Sequence, residues 1–217
     1  MKKILFNDFF ELNRMVLEGK KTMTRRIMKR RPLRIRYLDP ELYADANDHY
    51  AFFEDERGKC VIYDEQQYVI LPKYNIGDVV AVAQSYAELY KVLAARDFKR
   101  TDVLYDEFYH AMQFAKVCDT DAGWNNKMFV KAELMPHRIK ITDVKAERLQ
   151  DISDEDCLRE GVYHYTSYRI DCFSWGNSWH CFETPREAFA ELIDKICGKG
   201  TWVSNPFCFA YGFRLIR

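Results

Sequence analysis

"TPREAFAELIDKICGKGTWVSNPFCFAYGFRLIR", residues 184–217, holds the two best-specified elements of the chain and decides its class. Thr184, Pro185 and Glu187 make a capping box with proline in the first turn, where its missing N–H goes unneeded and its fixed φ suits a helix. Ala188, Phe189, Leu192, Ile193 and Ile196 then recur at helical spacing up to Gly198, a helix-ending residue. Beyond "NP" the period changes to two: Phe207, Phe209, Tyr211, Phe213 and Leu215 fall on one face of a strand. This predicts an α+β architecture in which the aromatic face of the last strand packs against Phe189, Leu192 and Ile196.

Upstream, "DISDEDCLREGV" reads as a short helix. Ser153 caps it, Asp154, Glu155 and Asp156 fill the first turn where acids suit the dipole, and Gly161 ends it. Glu160 falls on the last turn, where a carboxylate meets the carbonyl end of the dipole and is unfavourable. "PHRIKITDV" sets Arg138, Lys140 and Thr142 against Ile139 and Ile141, a half-exposed strand with a basic face. "NIGDVVAVAQSY" gives a Gly-Asp turn and then a run, Val79 to Tyr86, apolar enough on both faces for a central strand. Near the start, Asn7 or Asp8 can cap a helix carrying Phe9, Leu12 and Val16, with Gly19 past its end.

Between these elements lie two candidate insertions. Residues 37–70 carry turn signals at Asp39-Pro40 and Arg57-Gly58 around an apolar piece at Val61 to Tyr63, and read as hairpin-like. Residues 87–126 begin with a weak helical pattern and drift into turn-rich "CDTDAGWNN". No repeat or low-complexity tract interrupts the chain, so one domain of 217 residues with one core is expected.

Composition narrows the function classes. Hydrophobic residues make up 48% of the chain, too many for a disordered protein, and no run approaches the roughly 18 apolar residues of a membrane helix. "MKKILFNDFFELNRM" turns polar too early for a secretory signal, so a cytoplasmic protein without a membrane partner is expected. Seven cysteines, scattered and odd in number, read as reduced thiols, with Cys157 and Cys197 as small buried hydrophobes. With no C-x-x-C, and with His180 and Cys181 pointing opposite ways on a strand, neither a metal nor another cofactor is expected.

The net charge is zero but unevenly spread: from Lys20 to Arg36 nine residues are Lys or Arg and none is acidic, whereas the charged residues from Asp39 to Glu65 are mostly acidic. Cations just past a helix C-terminus complement its dipole, which accounts for Lys20 and Lys21 but not for nine charges. Read as a phosphate-directed surface, the stretch offers Lys20, Arg25, Arg26, Lys29, Arg30 and Arg31, with Arg138 on the later strand. Trp124, Trp202 and Tyr86 are candidate base-stacking rings; Trp202, in the Gly-flanked "GKGTWVSNP", is the best placed, and Asn205 beside it could offer an amide to a base edge.

Four segments in order, "GKKTMTRR", "GDVVAV", "LMPHRIKITDVKAERLQDISDEDCLREGV" and "TPREAFAELIDKICGKGTWVSNPFCFAYGFRLI", resemble the ASCH domains of the PUA-like superfamily, found in bacteria and in phage-related genes. The resemblance covers a little under half of the chain, and neither insertion has a counterpart in it. It implies a small β-barrel with flanking helices, and a cleft where the signature loop meets the helix ending at Glu160. PUA-like domains bind RNA or modified nucleosides, so an RNA or nucleoside-type ligand is the implied partner. Small acetylcytidine amidohydrolases of this family use a Lys, a Thr and a Glu that match Lys21, Thr24 and Glu160 here. The resemblance therefore also admits a hydrolase that removes an acyl group from a modified cytidine, with Lys21 as base, Thr24 as nucleophile or water-positioner and Glu160 as proton shuttle. A third reading is an interaction module of mobile-element origin that uses the acidic and basic segments to bind a protein partner. Gln84 departs from related phage-type sequences, which often carry Glu there.

Overall fold

Thr184 begins its helix as the capping box requires. Its hydroxyl accepts from the Glu187 amide while the Glu187 carboxylate accepts from the Thr184 amide. In the computed structural model of the chain, which describes residues 1–29, 32–37, 53–55, 58–66, 68–95, 109 and 125–216, this helix runs over Pro185–Cys197. The Asp39-Pro40 turn, Arg57, Arg30, Arg31, Trp124 and the "CDTDAG" part of the second insertion lie outside the described residues, as do the side chains of Arg34 and Arg36.

In chain order the elements are β1 (Lys3–Ile4), α1 (Leu12–Leu17), β2 (Met23–Ile27), β3 (Pro32–Tyr37), β4 (Phe53–Asp55), β5 (Gly58–Asp64), β6 (Val69–Ile70), β7 (Val79–Val82), α2 (Tyr86–Ala95), β8 (Arg138–Arg148), α3 (Asp154–Arg159), β9 (Val162–Ser167), β10 (Ile170–Trp175), α4 (Pro185–Cys197), α5 (Thr201–Ser204) and β11 (Phe207–Ile216). The class is mixed α+β, and among the described residues the strand orders are open, with no closed barrel. No helix among the described residues is long and apolar enough to cross a membrane. Two compact units are present: Asn7–Asp78 with Lys140–Leu215, and Met1–Phe6 with Val79–Ile139 and Ile216–Arg217.

In the larger unit, β11 lies between β8 and β2. β11 and β2 are antiparallel, with Gly212 opposite Met23, Tyr211 opposite Thr24 and Ala210 opposite Arg25. Directly opposed residues share a face, so the two faces of β11 differ sharply. Phe209, Tyr211 and Phe213 are buried on one, where the Tyr211 ring meets Tyr74 edge to face at 5.3 Å and its hydroxyl accepts from the Lys73 amide. The other carries the small residues Cys208, Ala210 and Gly212 opposite β2, and leaves room for Arg25. Phe189 of α4 lies 6.0 Å from the Arg25 guanidinium, on this small-residue side. The expected seam between the aromatic stripe and α4 is not what forms: Tyr211 of the stripe meets Tyr74, Phe189 of α4 lies toward Arg25, and Ile196 is 36% exposed.

Four strands of the first insertion form a sheet ordered β3-β5-β4 with β6 on β5, burying Val61 and Ile62. Its pairing begins at Pro32, five residues before the expected boundary. β9 and β10 make a hairpin whose two turn residues, Tyr168 and Arg169, both have positive φ (49° and 66°). α1 starts at Leu12 rather than near Asn7, and Phe9 is 76% exposed.

The cysteines require a correction. Cys172 and Cys181, expected as thiols, form a disulfide with Cα atoms 4.9 Å apart. The cause is local: reciprocal backbone bonds between Phe173 and Phe182 lay the segment after β10 alongside it, which no spacing in the sequence announces.

In the smaller unit, β1 and β7 are parallel, and Ala81, Ala83, Tyr86, Leu89, Val130, Ala132 and Met135 make the core. The run expected as one strand to Tyr86 stops at Val82. Ser85 and Glu88 form a reciprocal cap that turns the chain into α2.

Candidate functional site

Gly19 and Gly161 place the two ends of the site. After α1, Gly19 takes φ +75° and the amides of Lys20 and Lys21 both donate to the Met15 carbonyl, which turns the signature loop back along the helix. The Thr22 amide then donates to the Arg159 carbonyl, tying this loop to the end of α3. There Gly161 has φ +107°, and a Cβ on it would stand 3.4 Å from both Leu12 and Met15. The positive φ is what calls for glycine here, while the space would admit a Cβ in ordinary contact, and the turn brings Glu160 onto Lys21.

Lys21 Nζ donates to Glu160 Oε2 at 2.6 Å and to the Glu160 carbonyl at 2.5 Å. The two side chains are only 2% and 5% exposed. Arg25 Nη1 donates to the other oxygen, Glu160 Oε1, at 3.1 Å. The same guanidinium donates to Glu147 Oε1 from Nε at 2.9 Å and from Nη2 at 2.5 Å, and to Asp156 Oδ2 at 3.1 Å. Lys145 Nζ donates to Asp156 Oδ2 at 2.7 Å, and Arg159 Nη1 to Asp156 Oδ1 at 3.0 Å. Three carboxylates and four cations from the signature loop, β2, β8 and α3 thus form one network, all within the larger unit.

Burial and partners oppose each other in setting the charges. Burial pushes the Glu160 carboxyl up, but Lys21 and Arg25 overcome it and hold the group below the usual carboxylate range. Asp156 is likewise held low, with burial outweighed by Lys145 and Arg25. For Lys21 burial prevails: it pulls the ammonium below the ordinary lysine value against the attraction of Glu160. Arg25, despite burial, is raised by Glu160 and Glu147 and stays a cation at any working pH. Burial also pushes the thiols of Cys157 and Cys208 up to about 12, so neither is a nucleophile near neutrality.

Of the residues singled out by sequence, Lys21 and Glu160 meet. Thr24 is 5% exposed and lies on β2 one residue before Arg25; strand alternation turns it to the opposite face, across from Tyr211. Arg25, expected to face phosphate, lies in the network with its side chain 1% exposed. The reason is the run of small residues on β11, which lets a long side chain fold inward. Lys20 is exposed and paired with Glu18 at 2.7 Å; Arg26 and Arg138 are exposed, the latter in the smaller unit. Trp202 is half-buried rather than an open platform: its ring meets Phe189, the Arg186 guanidinium lies 5.8 Å from its centre, and its carbonyl accepts from Gln150. The Asn205 amide oxygen accepts from the Gln150 backbone, which leaves that acceptor committed inside the chain.

Sequence reasoning missed Lys145, Glu147 and Asp156. One signal was present in β8. Its apolar positions run Ile139, Ile141 and then Val144, Ala146, so the alternation slips by one at Thr142-Asp143 and carries Lys145 and Glu147 to the side of Arg25.

No family model, curated protein or solved structure gives a match to this chain.

Proposed function

We propose that the chain is an ASCH-type, PUA-like protein that binds a nucleoside-type ligand beside the Lys21–Glu160 pair. The observation carrying this is that pair itself: two motif residues 139 positions apart, in contact and almost fully buried. An ammonium and a carboxylate held side by side suit the donor and acceptor edges of a base. Among the described residues Arg25, Trp202 and Asn205 are engaged within the chain and Lys20 is paired with Glu18 at the surface, which favours a small ligand over an RNA strand. A tracked phosphate backbone needs cations in a row and open rings.

A second reading is amide hydrolysis on an acylated cytidine, favoured by the lowered Lys21 ammonium. Neutral Lys21 would take a proton from a water attacking the acyl carbonyl. The C–N bond then breaks, the free acid leaves, and Glu160 relays the proton to the departing amine. With Thr24 on the other face of β2, water is the nucleophile this chemistry requires.

Isothermal titration of the full chain with cytidine, N4-acetylcytidine and a single-stranded RNA, at low and high salt, tests the first reading. Saturable nucleoside binding lost in Lys21→Met supports it; salt-steep binding of RNA alone overturns it. Separating the products after incubation with N4-acetylcytidine tests the second. Release of free acid, faster as pH rises and absent in Glu160→Gln, supports hydrolysis; intact substrate removes it.

A further inference from the structure

Arg25 makes more contacts than any other side chain of the network and none of them is open. A guanidinium has five N–H donors, one on Nε and two on each Nη. All five have an acceptor: Nε and Nη2 donate to Glu147 Oε1, Nη2 also to Asp156 Oδ2, and Nη1 to Glu160 Oε1 and Met23 Sδ. A group so committed has no N–H left for a ligand. Its effect on the site must pass through Glu160, whose Oε1 it occupies while Oε2 is left to Lys21 at 2.6 Å.

We infer that Arg25 is a positioning residue: fixed by Glu147 and Asp156, its guanidinium fork sets the plane of the Glu160 carboxylate so that one oxygen faces Lys21. This rests on the proposed role of the Lys21–Glu160 pair and adds what holds that pair in register. Lysine could not substitute. Its three donors radiate from one point, whereas the acceptors here belong to three carboxylates on β8, on α3 and at the residue after α3. Phe189 closes the remaining side with its ring 6.0 Å from the guanidinium.

The charged and titratable groups around Glu160 are Lys21 from the signature loop, Arg25 and Arg26 from β2, Lys145 and Glu147 from β8, and Asp156, Cys157 and Arg159 from α3. Cys208 of β11 and Cys197 of α4 complete the set. Cys157 and Cys208 are buried and Cys197, expected as a small buried hydrophobe, is exposed; all three thiols lie above their ordinary value and stay neutral through the acid range. An acid titration at Glu160 therefore reads the carboxylates and their cations.

The test follows the carboxyl carbon of Glu160 by NMR against pH in the full-length chain and in Arg25→Lys. It is paired with calorimetric affinity for N4-acetylcytidine. In the native chain Glu160 should titrate below the usual carboxylate range, and the resonance of Arg25 Nη1, which donates to Glu160 Oε1, should move with the same midpoint. In Arg25→Lys the Glu160 midpoint should rise and affinity fall roughly ten- to hundredfold, the worth of a lost hydrogen bond to a charged group. Overturning results are a folded Arg25→Lys with unchanged titration, or a shifted titration with unchanged affinity. If the variant does not fold, the native measurement decides: an Arg25 Nη1 signal, from the group that donates to Glu160 Oε1, blind to Glu160 protonation refutes the role. If the native chain does not bind N4-acetylcytidine, the nucleoside reading falls, and Arg25 is still judged by the titration.

Discussion

Replacing Lys21 by Met keeps an unbranched side chain of similar length but removes the charge that Glu160 faces at 2.6 Å. At an effective dielectric near 20, two unit charges at that distance attract by roughly 6 kcal/mol, against a desolvation cost of several kcal/mol for each buried ion. The intact pair therefore adds little net stability. Breaking it leaves a carboxylate, 5% exposed, with only Arg25 for charge compensation, and should destabilise the chain by about 3–5 kcal/mol. Glu160→Gln should cost a similar amount, since it strands Lys21. The double variant Lys21→Met/Glu160→Gln strands neither, and should fall short of the summed single costs by about 2 kcal/mol or more. Urea unfolding followed by far-UV circular dichroism measures all four chains, compared at equal m-values. Single costs under about 1 kcal/mol, with additivity in the double, would mean that the pair behaves as an exposed salt bridge and that the site is not closed as described.

Acid should destabilise the fold through Glu160 and Asp156. Their folded pKa values lie below the unfolded ones, so the stability they contribute is complete above the ordinary carboxylate range, about pH 4, and is lost as pH falls through the depressed folded values. Urea midpoints that stay flat from pH 7 to 3 would contradict this. Reducing Cys172–Cys181, which closes a loop with a sequence separation of 9, should cost roughly 2.5–3 kcal/mol; alkylation of both residues in the unreduced folded chain would refute the bridge. At the β9–β10 turn, replacing Tyr168-Arg169 by Asn-Gly should stabilise by about 1 kcal/mol, since both positions have positive φ and Tyr168 is 98% exposed; a lowered melting temperature would count against the turn geometry.

Local chemistry made much of the fold legible. Ser153 and Thr184 cap the helices they were expected to cap, Gly161 takes the positive φ that a helix end asks for, and β11 runs where the alternation of Phe207 to Leu215 put it. What failed to show was anything set by a second segment. Which face of β11 meets α4 depends on where Tyr74 lies, 137 positions away from Tyr211, and an aromatic stripe by itself names no partner. The Lys21–Glu160 contact was approachable because a carboxylate at a helix C-terminus is locally unfavourable and so points to a cation elsewhere. Arg25 gave no such sign: in a run of nine cations nothing local distinguishes the one that turns inward. Only the small side chains of Cys208, Ala210 and Gly212, read together with β2, could have told it apart.

The separations within the charge network bear on the order in which the chain can assemble. Lys21 and Glu160 are 139 positions apart, Arg25 and Asp156 131, Arg25 and Glu147 122. At roughly 5–20 residues per second on the ribosome, the two cations wait on the order of ten seconds for the acids that neutralise them. Until then, burying either would leave an uncompensated charge in a low dielectric, so β2 must remain hydrated and open. The signature loop is made early and sealed late, by the helix end that carries Glu160, 139 positions further along the chain.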